Sequence, residues 1–176
     1  AIKKVWASLW SYEAFSEREY YNIDHKAVYM GVLAHRSFPE EKVNGVAITK
    51  NLYRPDDLGF VVNAQLGDES VVKPKSGVVC DQFICFQNDD DEDESGLYMN
   101  KGAVDIITQS SLNNNKLVMT EAEIQTLANQ LEIIKQYFFE ESDTSKWYID
   151  FGLDVEFKLD GEKRELYIKQ VRLYND

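Results

Sequence analysis

Side chains suited to redox or soft-metal chemistry are scarce in this chain, which has two cysteines and two histidines among 176 residues. Cys80 and Cys85 lie five apart in one apolar stretch. That spacing gives neither a disulfide framework nor the C-x-x-C pair of a zinc site, so both are expected as buried thiols in a reducing cytoplasm. No run of about 18 apolar residues occurs, and no basic-then-apolar leader. A soluble, cytoplasmic protein that does not enter the membrane is therefore expected. Positive charge is in short supply as well: 19 basic residues against 31 acidic ones leave a net −12. With no basic stripe there is no electrostatic footprint for nucleic acid, and an anionic membrane face would repel the chain. Gly-rich strand-to-helix loops, a G-x-S-x-G elbow and an H-E-x-x-H helix are all missing. His25, just after Ile23-Asp24, reads as a cap or turn residue rather than a base. His35, at the end of an expected strand, is harder to dismiss.

What is present is enough to fold. Hydrophobic residues make up 44% of the chain and aromatics 12%, which suits a packed core and not a disordered segment. The length allows one domain or one piece of a larger one. The chain begins without methionine, and Ile2, Val5, Trp6, Leu9 and Trp10 recur at helical spacing. They predict one helix to about residue 21 whose apolar face needs a partner layer. Residues 27–34, apolar on both alternating faces, predict a strand covered on both sides, with residues 43–49 as its antiparallel neighbour. Further strands are expected over 59–64, with polar groups gathering at 65–69, and over 78–86. Six consecutive acids follow at 89–94, expected to form a solvated loop over 87–96 because the spaced ligands and glycine turn of a calcium loop are absent. Thr120 and Glu123 match a capping box, and Ile124, Leu127, Leu131, Ile134 and Phe138 step by three and four, which predicts a helix over 121–140. Strands over 148–157 and 165–173 then meet around Asp160-Gly161, a hairpin dipeptide. The expected class is α/β (α+β), a mostly antiparallel sheet with packed helices, with no linker dividing it.

The last hairpin is where chemistry is expected. Alternation puts Leu153, Val155 and Phe157 on one face and Asp154 and Glu156 on the other. On the partner strand Leu166, Ile168, Gln170 and Arg172 share parity, so Gln170 and Arg172 face the two acids if the register allows. Two carboxylates suit Mg²⁺, which leaves its other positions to water and substrate phosphates, and arginine offers a planar fork for a phosphate. The plain alternative is a hairpin face with ordinary solvated polar residues.

Several segments in order resemble one family, the nucleotide-binding domain of pyruvate phosphate dikinase and phosphoenolpyruvate synthase, which has an ATP-grasp fold. Val5-Trp6-Ala7-Ser8-Leu9-Trp10 is similar to the family's W-A-S-L-[FW], and Ile23-Asp24-His25 to its I-D-H. Residues 45–51, GVAITKN, resemble G-V-A-F-T-R-N, and residues 63–72, NAQLGDESVV, resemble N-A-Q-G-E-D-V-V with one residue inserted. Leu153-Asp154-Val155-Glu156-Phe157 followed by residues 166–172, LYIKQVR, is similar to D-I-E-[WF] and L-Y-[IM]-L-Q-x-R. The resemblance implies that Asp154 and Glu156 serve the metal and phosphates of Mg²⁺-ATP, that Gln170 and Arg172 line the same cleft, and that Asp68 and Glu69 lie near the transferred phosphoryl group. It implies a catalytic set of Glu156, Arg172, Glu69 and Asp68.

His35 stands where the family more often has glutamine, and Lys50 replaces arginine. By the same resemblance, residues 1–176 are the carboxy-terminal portion of the nucleotide-binding domain, inactive when isolated. A glycine-rich, lysine-bearing half is expected before it, and a swivelling phosphohistidine domain and a pyruvate-binding domain are expected after it. The implied reaction is phosphorylation of the mobile domain's histidine by ATP and transfer of that group to pyruvate. Two alternatives stand beside it: the same domain in a glucan water dikinase-like or drug-phosphorylating enzyme, and a degenerate binding module.

Overall fold

The computed structural model describes residues 1–34, 37–86, 103–142 and 144–174. His35 and the acidic run at 89–94 lie outside these described residues. The chain divides into two compact units, Ala1–Ser37 and Phe38–Asp176.

In the first unit the expected single helix is two, α1 (Ile2–Ser8) and α2 (Tyr12–Tyr20). Ser11 accounts for the break. Its backbone is extended and its Oγ accepts the Ala14 N–H at 3.3 Å, so it starts a new helix as an N-cap instead of continuing the old one. The expected apolar face is not buried: Trp6 is 54% and Trp10 60% exposed. Arg18 is the buried side chain of α2, lying over the Trp10 ring. Its Nε donates to His25 Nδ1 at 2.9 Å, while Glu19 Oε1 meets His25 Nε2 at 2.7 Å and Phe15 stacks on the imidazole. His25 is thus a turn residue tying down the end of α2. Residues 27–34 form no strand, and Tyr29 and Leu33 are well exposed. A strand needs a ladder, and the strand at Glu41–Ile48, which covers the neighbour expected for it, is already paired on both edges.

The second unit is a six-stranded antiparallel sheet in the order β4-β3-β2-β1-β5-β6. Its strands are β1 (Glu41–Ile48), β2 (Phe60–Leu66), β3 (Asp81–Cys85), β4 (Val104–Thr108), β5 (Leu153–Asp160) and β6 (Glu165–Leu173). The expected antiparallel α/β class is what the chain adopts. Residues 148–150 form a short 3-10 turn, so β5 starts later than alternation suggested, and β4 was not anticipated. The hairpin turns at Gly161, whose φ of +76° is easy only for glycine.

One face of the sheet is the core. Val43 and Ala47 of β1, Phe60, Val62 and Ala64 of β2, Phe83 and Cys85 of β3, and Leu153, Val155, Phe157 and Leu159 of β5 pack there with α3 (Glu121–Glu141) through Ile124, Leu127, Ala128 and Leu131. Both arms of the Thr120–Glu123 capping box form, and Arg164 ties the cap to the sheet through Glu123 at 2.6 Å. Phe157 lies over Gly45, where an added Cβ would come within 2.3 Å of the ring and 2.8 Å of the Asn63 carbonyl. Glycine lets β1 and that ring coexist. Buried polar groups are partnered around the edge: Gln65 accepts from Ser110 Oγ and donates to the Val79 carbonyl, and Asp81 accepts the Ser110 and Val118 N–H groups at 2.6 Å each. Cys85 is a buried thiol, as expected, and burial pushes it up to about 12. Cys80, just before β3, is only half-buried. Among the described residues no helix is long and apolar enough to cross a membrane.

Candidate functional site

The opposite face of the sheet is polar along β5 and β6 and carries a small apolar cluster, Val61, Ile84 and Phe86, toward β2 and β3. Pairing fixes which residues share it. Asp154 stands between Arg172 and Ile48, Glu156 between Gln170 and Val46, and Lys158 between Tyr167 and Asn44. The structure thus brings Asp154, Glu156, Gln170 and Arg172 together, two facing pairs on one ladder. Arg172 holds Asp154 from two nitrogens, Nε at 2.7 Å and Nη2 at 2.6 Å, both on Oδ2. The other oxygen, Asp154 Oδ1, is buried and has no hydrogen-bond partner.

The register also corrects one feature of the alternation. Leu166 and Ile168 do not share a face with Gln170 and Arg172: both pack on the core. A β-bulge makes the change. Phe157 pairs with Ile168 while Glu156 pairs with Gln170, which leaves Lys169 as the extra residue. A bulge adds one residue to one strand and re-aims the side chains that follow, so the strand switches from core-facing to site-facing parity at Lys169. No alternation rule applied to sequence detects such a switch.

Glu156 opens onto a cavity of about 210 Å³. Asn44, Ser70, Val72, Lys158 and Lys169 line it with Glu156. Lys169 Nζ lies 3.9 Å from Glu156 Oε2, and Lys158 pairs with Glu41. With Glu41 counted beside Lys158, the ion pairs of this face balance: Lys158, Lys169 and Arg172 stand against Glu41, Glu156 and Asp154. Another cavity, about 360 Å³ and lined by Ser142, Thr144, Phe151, Gly152 and Tyr174 among others, contains none of the site residues named above.

The turn after β2 reaches the site through its backbone. Asn44 Nδ2 donates to the Gly67 and Glu69 carbonyls, each at 2.8 Å, which fixes the turn against β1 and brings Ser70 and Val72 to the cavity wall. Asp68 is exposed on this turn. Glu69 turns its carboxylate to Lys75, with Oε2 2.6 Å from Nζ and Oε1 accepting the Lys75 N–H. The Lys75 side-chain hydrogen bond holds Glu69 below the usual glutamate range. Neither Asp68 nor Glu69 is among the residues lining the Glu156 cavity. Asn44, Lys158 and Lys169 are site residues that motif reasoning passed over. Asn44 precedes a quoted glycine and Lys169 sits inside a quoted motif, but only the register shows which face they join.

Compared with known families, the chain matches the model described as pyruvate phosphate dikinase, AMP/ATP-binding domain, over residues 1–175. The chain belongs to that family. No curated protein matches it. The family match makes the chain an ATP-binding module of the pyruvate phosphate dikinase kind, and the polar sheet face is the surface of this module where the acidic and basic side chains of the carboxy-terminal hairpin meet.

The residues present suit Mg²⁺. The unpartnered Asp154 Oδ1 is a hard oxygen with no donor on it, and Glu156 is the next residue on the same face. Among the described residues there is no cluster of three or more histidine, cysteine or acidic side chains that would cage a metal alone. Mg²⁺ does not need one, since it binds through one or two carboxylates and completes its shell with water and phosphate oxygens.

Proposed function

We propose that this module serves a phosphoenolpyruvate synthase- or pyruvate phosphate dikinase-like phosphotransferase, with an ATP-grasp nucleotide site, in which ATP phosphorylates a histidine on a swivelling domain of the same polypeptide and that histidine then phosphorylates pyruvate. The observation that supports this most is the facing of Asp154–Arg172 and Glu156–Gln170 on the sheet face opposite α3. Phosphoryl transfer asks little covalent chemistry of a protein. Its work is positioning and stabilising charge on the phosphate oxygens.

The side chains divide that work. Asp154 Oδ1 and the Glu156 carboxylate would hold Mg²⁺, which supplies neutralising charge to the phosphates when bound. Asp154 Oδ2 orients the Arg172 guanidinium by two contacts, leaving the rest of its donor fork for a phosphate oxygen. Gln170, opposite Glu156, adds an uncharged donor and acceptor. Asp68 and Glu69 belong to the turn that Asn44 pins beside the cavity, and in this reading they lie near the transferred group.

The test is Glu156→Ala in the complete enzyme. Rapid-quench measurement of histidine phosphorylation is expected to fall by orders of magnitude while the fold persists, and a near-normal rate refutes the assigned role.

A further inference from the structure

We propose that Lys169 is a phosphate-binding residue of this site, and that the cavity it shares with Glu156 receives a phosphate of ATP beyond the one AMP carries. The inference rests on the reading of the polar face as an ATP site. Lys169 is the residue inserted by the β-bulge between the Phe157–Ile168 and Glu156–Gln170 pairs. Ile168 packs on the core, so alternation turns Lys169 to the opposite face, where its ammonium lies at the cavity that Glu156 lines. The bulge then keeps Gln170 and Arg172 on that same face, as bulges beside functional sites re-aim the side chains that follow them.

The two lysines of the cavity differ. Lys158 is committed to Glu41 and lies over the Phe38 ring. Lys169 is 3.9 Å from Glu156, beyond hydrogen-bond length, so its donors are not spent on that carboxylate. It is held in the cavity wall with 23% of its side chain exposed. An ammonium kept near a carboxylate without bonding it is placed to exchange that attraction for a phosphate oxygen. The volume agrees: about 210 Å³ is below the roughly 300–1,000 Å³ of pockets that enclose a whole ligand and suits a single phosphate group. Glu156 would help hold the Mg²⁺ of Mg²⁺-ATP, whose charge serves the phosphates beyond the one AMP carries, so a phosphate beside Glu156 is assigned to that part of ATP.

Equilibrium binding of Mg²⁺-ATP and of AMP to the full-length protein tests this, with wild type, Lys169→Leu, Lys169→Gln and Lys169→Arg compared and thermal unfolding checked for each. Both neutral variants are expected to weaken ATP about tenfold and leave AMP within twofold, with Lys169→Arg recovering most of the loss. If wild type binds ATP and the neutral variants bind it equally well, Lys169 has no such role, and the ATP reading survives. Equal losses for ATP and AMP overturn the proposal in favour of a structural role. Failure of wild type to bind ATP overturns both readings.

Discussion

Neighbouring residues on β5 have opposite surroundings. Phe157 is 1% exposed, packed over Gly45 in the core beneath α3, whereas Glu156 faces a charged cavity on the other side of the same sheet. The first face is apolar across four strands and closed by one helix. The second carries a row of carboxylate, amide, ammonium and guanidinium groups along β5 and β6, and a small apolar cluster of Val61, Ile84 and Phe86 toward β2 and β3. A single ladder therefore serves as both scaffold and site, and period-two alternation separates the roles. Substitutions on the core face should change stability and those on the polar face should change chemistry.

The largest expected effect on stability is from Phe157→Ala, which removes a fully buried ring and should cost about 3–5 kcal/mol in denaturant unfolding. A cost below about 1 kcal/mol would show that this face is not the core described.

Next comes the charge that breaks the rule. Lys135 lies on the buried stripe of α3, 2% exposed, with its ammonium over the Tyr148 ring. Burial lowers it to about 8, and the charge of Lys50 acts in the same direction while Glu132 and Asp150 oppose it. Its folded value is thus below the 10.5 of the unfolded chain, so between about 8 and 10.5 the unfolded state binds more protons and stability rises with pH. Lys135→Met should remove that rise and stabilise the protein by about 2 kcal/mol at pH 7. Destabilisation at pH 7, or a pH profile that stays the same, would mean the ammonium is well solvated or well paired.

The smallest effect is at the helix cap. Burial alone would raise Glu123, but the Arg164 hydrogen bond and the Thr120 N–H together hold it below 4.5. A lowered carboxyl contributes stability that is present above 4.5 and is lost as pH falls through its folded value. Glu123→Gln, which retains the cap, should give up about 1 kcal/mol at neutral pH and lose less on acidification. Parallel acid-unfolding curves for variant and wild type would contradict this.

How much of this could be read in the sequence follows the same division. The hairpin was legible because alternation and the Asp160-Gly161 turn are local signals, and the α3 cap was legible from Thr120 and Glu123 alone. The four site residues on the hairpin came from parity. Their agreement with the register is partly fortuitous, because parity also assigned Leu166 and Ile168 to that face and the bulge at Lys169 moved them to the core. The buried stripe of α3 continues through Lys135, a residue that hydrophobic spacing skips. In the first unit periodicity identified helix but missed the Ser11 break, since capping competes with continuation on grounds that apolar spacing does not register. Residues 27–34 have the composition of a strand without a ladder to join. The contact of Asn44 with the turn after β2 is long-range and has no local signature.

The most direct measurement compares Glu156→Ala with wild type in two readouts on one preparation: unfolding free energy, and Mg²⁺-ATP-dependent phosphorylation of the partner histidine. The account predicts stability within about 0.5 kcal/mol of wild type and phosphorylation reduced by orders of magnitude. A variant that unfolds several kcal/mol more easily, or one that phosphorylates at a near-normal rate, would contradict the division of the sheet into a structural face and a chemical one.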